Sequence, residues 1–366
     1  MSTATTSDLK WKEVYSLGFL NAAVAISWIA YHEYQPVLMT NLGITHLVDF
    51  MLIAKALVLV LIPPIAGLIA DYILRKNGKY LIVFTVGIGA TAMIFMVVAS
   101  MISTAHLADM RTILPIMIVL WLISMNLFVS PANSMIEAFA PAQKLPIVMG
   151  FLFLVTELVY AIEPIVVALV LFFGDTLTFV VGGILISVSG YIFHRVSRDE
   201  VLQRKTQLMV ADRVTGKQSL ISYASILMVG LFLGVGKAFL LEFLPHHLAN
   251  TFPEFGAYGG YVSFVILGLC AIGGFLISRT IAKRQLWKVI TTSFVILVVG
   301  VFILLFAPSV EILIGGALVV AAGFTMLNIS GLPFAIQNLS VRHVTYGVGI
   351  YIGASELLTG IFEYYL

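Results

Sequence analysis

Four glutamates sit inside stretches that are otherwise almost wholly apolar: Glu33, Glu157, Glu242 and Glu356. Glu157 lies in FLVTELVYAIEPIV, residues 153–166, and Glu356 in YIGASELLTGIFEYYL, residues 351–366. A carboxylate removed from water favours its protonated form, and such an acid can take up and release a proton near neutral pH if its partner changes. Two cations, Lys55 and Lys237, also fall inside apolar stretches. Glu33 and Lys55 come at similar depth, so a structural ion pair between them is one reading of both. Glu157 has no cation close to it in sequence and falls near the middle of its stretch. It is therefore the first candidate for a proton-carrying acid, ahead of Glu33, Glu242 and Glu356. Glu163 and Glu363 fall nearer the outer face.

Other polar side chains recur at helical spacing. Asn21, Trp28, His32 and Gln35 form one stripe; Asn126, Ser130, Asn133 and Glu137 form a second; Gly230, Gly234 and Lys237 form a third. Amides can bracket hydroxyl groups, and a tryptophan face suits a sugar ring. Asn and Ser at such positions also join helices within a membrane, and a lone histidine such as His32 is commonly structural.

The elements that carry these residues must be membrane helices. The chain has 366 residues, 60% hydrophobic and 10% charged, with mean hydropathy +1.06. Soluble domains are about 45–50% apolar and about 25% charged. Apolar runs of roughly 20 residues, enough to cross a bilayer as a helix, recur throughout. Barrel strands are shorter and alternate. The pattern predicts eleven spans, at about 14–38, 48–71, 80–102, 112–138, 146–172, 176–196, 219–246, 257–279, 287–307, 309–336 and 344–366. The polar segment 197–218 separates a first half, 1–196, from a second, 219–366. The N-terminus runs into the first span without a small-residue cleavage pattern, which reads as a retained helix.

Charge in the loops sets the expected orientation. With the N-terminus in the cytoplasm, Arg111 alone lies on the far side and Lys55 and Lys237 within spans, leaving 17 of the 20 Lys and Arg on the cytoplasmic side. The halves also repeat. Glu33, Pro36 and Asn41 match Glu242, Pro245 and Asn250 at one common offset. Asn126 and Pro131 match Asn328 and Pro333, and Gly150 and Glu157 match Gly349 and Glu356, at offsets that shrink along the chain. Both copies start on the same side, so they are parallel repeats about an axis along the membrane normal. By that symmetry a twelfth helix is expected beyond residue 366.

The segment GLIADYILRKNGKYLI, residues 67–82, carries Gly67, Asp71, Arg75, Lys76, Gly78 and Lys79. It resembles the cytoplasmic glycine–aspartate–basic motif of the major facilitator superfamily. QPVLMTNLGITH (35–46), PPIAGLIAD (63–71), SPANSMIEAF (130–139) and SGLPFAIQNLS (330–340) resemble the glycoside–pentoside–hexuronide and sucrose-type proton symporters within it. Asn133 stands where sucrose-type members carry arginine, and the basic loop has GKYL for an arginine triplet. The resemblance implies an all-α polytopic membrane protein of the major facilitator fold, built from two pseudo-symmetric helical bundles that rock about a central cavity. It implies that spans one, four, seven and ten line that cavity, so Trp28, His32, Gln35, Asn126, Asn133, Lys237 and Asn328 become the expected substrate contacts. It implies that Gly67, Asp71, Arg75 and Lys76 form a conformational latch.

The resulting expectation is a secondary transporter of a small polar solute, sugar or glycoside, coupled to protons or sodium, working as a monomer in a bacterial inner membrane. Alternatives are an exporter of amphipathic compounds, an organic-anion symporter using Lys237, or a non-transporting protein on the same fold. No Walker loop, Cys-x-x-Cys or His-x-x-x-His spacing is present, so neither ATP, a metal nor another cofactor is expected, and no enzymatic activity. The basic residues of 197–218 are balanced by acids, which argues against a nucleic-acid site. Cys270 is single and lies in an apolar run.

Overall fold

The computed structural model describes residues 9–77, 81–104, 107–200, 219–340 and 342–365. Most of the expected linker, residues 201–218, and Gly78 and Lys79 of the basic loop lie outside the described residues. The described residues are helical almost throughout, in thirteen α-helices. Ten candidate membrane spans are long and apolar enough to cross a bilayer.

The N-terminal bundle contains α1 (Trp11–Asn41), α2 (Val48–Asn77), α3 (Leu81–Thr104), α4 (Leu107–Ser134), the single-turn α5 (Ile136–Phe139), α6 (Leu145–Ala161) and α7 (Glu163–Val196). The C-terminal bundle contains α8 (Leu220–Ala238), α9 (Leu244–Thr251), α10 (Gly259–Ile281), α11 (Leu286–Leu305), α12 (Val310–Gln337) and α13 (Val344–Tyr365). Helix α13 holds Glu356 and Glu363 and runs beside α2.

Three boundaries differ from the periodicity, each at a proline or glycine. The fifth span is interrupted at Ile162, which has left the helical region (φ −99°, ψ 17°), and α7 restarts with Pro164 in its first turn. A proline there has no N–H to lose to an intrahelical bond and its φ is already helical. The turn into the sixth span is a kink inside α7 at Gly174 (φ 75°, ψ 172°), backbone that only glycine adopts without strain. The seventh span opens into a wide π-turn, Phe239–Phe243, before Pro245. Pro245 cannot donate to the carbonyl one turn earlier and crowds it. The widened turn takes up that mismatch, and Ser263 Oγ of α10 donates to the Leu240 carbonyl at 3.0 Å.

The bundles meet along two seams, α2 with α13 and α6 with α10. In the first seam glycines let the backbones touch. A Cβ on Gly349 would overlap the Pro63 carbonyl, and one on Gly353 the Val60 carbonyl. The intrahelical donor for Val60 would be Pro64, which has none, so the proline pair turns a carbonyl outward and the glycine lets α13 approach it. Ser130 Oγ of α4 donates to the Pro63 carbonyl at 2.8 Å, which makes this member of the α4 stripe a structural contact. Gly353→Val should force the seam apart at a cost of about 1–3 kcal/mol, the usual penalty for overpacking. The check is a thermal unfolding midpoint of purified protein, with Gly273→Val as control, because nothing lies within 4 Å of a Cβ there.

Candidate functional site

Between the bundles the intramembrane charges gather. Lys237 Nζ of α8 donates to both carboxylate oxygens of Glu356 on α13, at 2.7 and 2.8 Å. Lys55 of α2 pairs with Glu363, also on α13 and two helical turns beyond Glu356. The Glu33–Lys55 pair suggested by depth is therefore not formed, because the seam brings Glu363 to Lys55 first. Glu33 and Glu163 instead lie within electrostatic reach of each other. The i, i+7 spacing of Glu356 and Glu363 was the sequence signal for two cation-binding acids on one face of α13.

Glu157, on α6 of the N-terminal bundle, is 8% exposed. Among the described residues it makes no hydrogen bond or ion pair. Lys237 of the facing bundle is within electrostatic reach of it. Glu242 sits in the π-turn, within reach of Lys55, Lys237 and Glu363. His32 is exposed to the space between the bundles and lies within reach of Lys55 and Lys237. Tyr160, one turn from Glu157, reaches Glu157, Glu356 and Glu163 and was not singled out from sequence. The four carboxylates of the sequence analysis thus divide: Glu356 is held by Lys237, Glu157 and Glu242 face the same cation without bonding it, and Glu33 lies within reach of Glu163.

The expected substrate contacts are less uniform. Trp28 meets Trp121 edge-on at 5.3 Å between ring centroids and Tyr31 at 5.5 Å, with His32 at 5.9 Å. Gln35 Nε2 donates to Met39 Sδ at 2.9 Å. Asn126 and Asn133 both turn their amide N–H groups to their own helix, onto the Leu122 and Val129 carbonyls at 2.8 and 2.9 Å. Their carbonyl oxygens are what remains for a ligand. Asn328 of α12 is half-buried and is not linked by a hydrogen bond to the cluster among the described residues. His32 of the N-terminal bundle lies within reach of Lys237 of the C-terminal one, Trp28 packs against Trp121 within its own bundle, and among the described residues no contact ties Asn133 or Asn328 to them.

At the end of the seam nearer the chain's start, Asp71 is 2% exposed and its Oδ2 accepts from the Tyr346 backbone N–H at 2.9 Å. Tyr346 lies in the first turn of α13, so an acid of one bundle covers the positive helix end of the other. Gly67, one turn before, is packed against the Thr345 carbonyl. Arg75 Nε donates back to the Asp71 carbonyl at 3.2 Å. Burial, then the Arg75 and Arg342 cations, hold nearby His343 below the ordinary imidazole range. Lys76 is exposed and lies over the Tyr72 ring at 5.8 Å.

No family model matches the sequence, and no curated protein does. Solved structures do match. The human organic anion transporter MFSD10 (TETRAN) is similar at a TM-score of 0.69 and 12% identity, over 98% of this chain and 93% of that one. The proton:xylose symporter XylE, bound to 6-bromo-6-deoxy-D-glucose, is similar at 0.66 and 13%, over 98% of this chain and 88% of that one. The chain has the major facilitator fold. Within that fold the two seams are where the two repeats meet, and the Lys237–Glu356 pair, Glu157 and His32 lie between the repeats. The long apolar helices make it an integral membrane protein.

Proposed function

We propose that the chain is a secondary active transporter that moves a small polar solute by proton-coupled alternating access. The solute class we favour is a sugar or glycoside, from the resemblance of the proline-centred segments to glycoside symporters and from the likeness to a xylose symporter. In this reading residues 1–196 and 219–366 rock about the central cluster, joined by 197–218. The protein works as a monomer in a bacterial inner membrane with its N-terminus in the cytoplasm, and protons rather than sodium carry the coupling. The observation that carries the proposal is Glu157: a buried carboxylate with no ion pair among the described residues, across the bundle interface from the Lys237–Glu356 pair. A proton on Glu157 and the cation of Lys237 can then be coupled to which bundle ends face each other. The organic-anion reading, raised by Lys237 and favoured by the likeness to MFSD10, is less well served, because Lys55 and Lys237 are both bonded to glutamates.

The test is uptake into proteoliposomes under a pH step or a sodium gradient, with a panel of sugars, glycosides and organic acids. pH-driven accumulation of a glycoside supports the reading; accumulation of organic acids alone, or of a glycoside by sodium alone, contradicts it. The latch carries its own prediction. Asp71→Asn removes the charge that covers the first turn of α13, an interaction in the class of caps that contribute about 1 kcal/mol. That energy shifts the balance between the two openings about fivefold away from the state with α2 and α13 joined. The readout is labelling of cysteines introduced at the two ends of the seam, in a Cys270→Ser background.

A further inference from the structure

The acids of the central cluster outnumber its cations. Glu33, Glu157, Glu163, Glu242, Glu356 and Glu363 are accompanied by two lysines, and both lysines are bonded: Lys237 to Glu356 and Lys55 to Glu363. Among the described residues the other four carboxylates make no hydrogen bond or ion pair. Glu157 is only 8% exposed, and Glu33, Glu163 and Glu242 are half-buried. Electrostatic reach links the six. Glu33 and Glu163 reach each other, Tyr160 reaches Glu163, Glu157 and Glu356, and Glu242 reaches Glu363 and both lysines. Carboxylates withdrawn from water repel one another unless a proton or a cation stands between them. A proton on Glu157, as the coupling role requires, still leaves Glu33, Glu163 and Glu242 with no positive charge of their own.

The arrangement also says which kind of cation suits it. Among the described residues no three His, Cys, Asp or Glu side chains come close enough to hold a metal ion. The carboxylates are therefore spread too widely to replace the water shell of a bare ion. Ring faces accompany the charge. Tyr160 lies one turn from Glu157, and Phe239, in the π-turn with Glu242, meets Phe243 at 5.1 Å and Phe362 at 5.4 Å between centroids. Such faces attract an organic ammonium group. An anionic solute would meet the surplus negative charge with both lysines already bonded. We infer that the transported solute is an organic cation, an amino sugar or other amine-bearing glycoside, whose ammonium group is counterbalanced by Glu33 and Glu163 of the N-terminal bundle and Glu242 of the C-terminal one. Glu157 keeps the proton. The glycoside part of the solute rests on the transport reading above; its positive charge does not.

The experiment measures binding to the full chain in nanodiscs at neutral pH. Two probes of nearly equal shape differ by one charge: 2-aminoethyl β-glucoside and 2-hydroxyethyl β-glucoside. The amine should bind about tenfold more tightly, the difference between a charge-assisted and a neutral contact. Carboxymethyl β-glucoside should bind more weakly than either. Equal affinity for amine and alcohol, or a preference for the carboxylate, overturns the inference, and binding of the alcohol then leaves the glycoside reading standing. Glu33→Gln and Glu242→Gln should each cut the amine-to-alcohol ratio about threefold without weakening the alcohol. An unchanged ratio in both overturns the inference. Should both variants fail to fold, the ratio in wild type decides by itself. The preference should be the same in sodium chloride and in potassium chloride of equal ionic strength. Its loss in sodium chloride alone would assign the carboxylates to a metal ion and overturn the inference. Phenethylamine and phenethyl alcohol repeat the comparison without a sugar. If the amine of that pair is preferred while neither glucoside binds, the cation site is supported and the glycoside reading fails.

Discussion

Replacing Glu157 with glutamine should abolish proton-driven accumulation while leaving the exchange of solute intact. Glutamine has nearly the shape of a protonated glutamate and cannot release a proton. Glu157 is buried, and among the described residues it makes no hydrogen bond or ion pair for the substitution to remove. It does remove a negative charge within reach of Lys237. A pH step of one unit is about 1.4 kcal/mol per proton, enough for roughly tenfold accumulation at one proton per solute. Wild-type proteoliposomes should approach that ratio, and Glu157→Gln should stay near one. Counterflow, in which labelled solute exchanges against unlabelled, needs no net proton movement and should remain within about twofold of wild type, because only the uniform binding contacts serve it. Tenfold accumulation by the variant would remove Glu157 from the coupling role. Loss of counterflow as well would make it a substrate contact. Glu242→Gln is the informative companion, since Glu242 faces the same cations from the other bundle.

The spans, the duplication and the unusual placement of Glu157 were legible because they depend on local composition and periodicity. The glycine and basic residues around Asp71 singled that segment out as a latch by resemblance; the partner of its acid, the Tyr346 N–H in the first turn of α13, was not legible. Partner choice was not legible. Lys55 was matched to Glu33 by depth alone, but depth does not say which helices touch. The α2–α13 seam, drawn close by Gly349 and Gly353 against the proline pair, decides that Lys55 meets Glu363. The amide stripe on α4 shows a related gap between spacing and bonding. Spacing places Asn126, Ser130 and Asn133 on one face, yet it does not reveal that their donors turn to backbone carbonyls. The rings that meet Trp28, those of Tyr31 and Trp121, escaped notice, since Trp121 lies outside any polar pattern and becomes informative only when α4 is laid against α1.

Lys237 and Glu356 should behave unequally when removed one at a time. Lys237→Met leaves Glu356 without its cation. Stranding one member of a buried pair costs about 3–5 kcal/mol, and this pair is part-buried, so the loss lies toward the low end. Glu356→Gln leaves Lys237 with Glu157 still within reach, so part of the loss is recovered by a new pair across the bundle interface. The double variant removes both charges and should lie within about 1 kcal/mol of wild type, as buried pairs replaced together commonly do. Unfolding midpoints of the four proteins in one detergent give the cycle directly. The order expected is Lys237→Met least stable, then Glu356→Gln, then the double variant and wild type together. If the two single variants are equally unstable, Lys237 does not turn to Glu157, and exchange of its partner between bundles fails as a coupling step. If Glu356→Gln is the milder change, its residual stability should itself vanish in Glu157→Gln/Glu356→Gln. That outcome would place Lys237 between two acids related by the internal repeat, one on each bundle. A lysine that can be held by either acid, while the other takes the proton, is the arrangement that links protonation to which face of the protein is open.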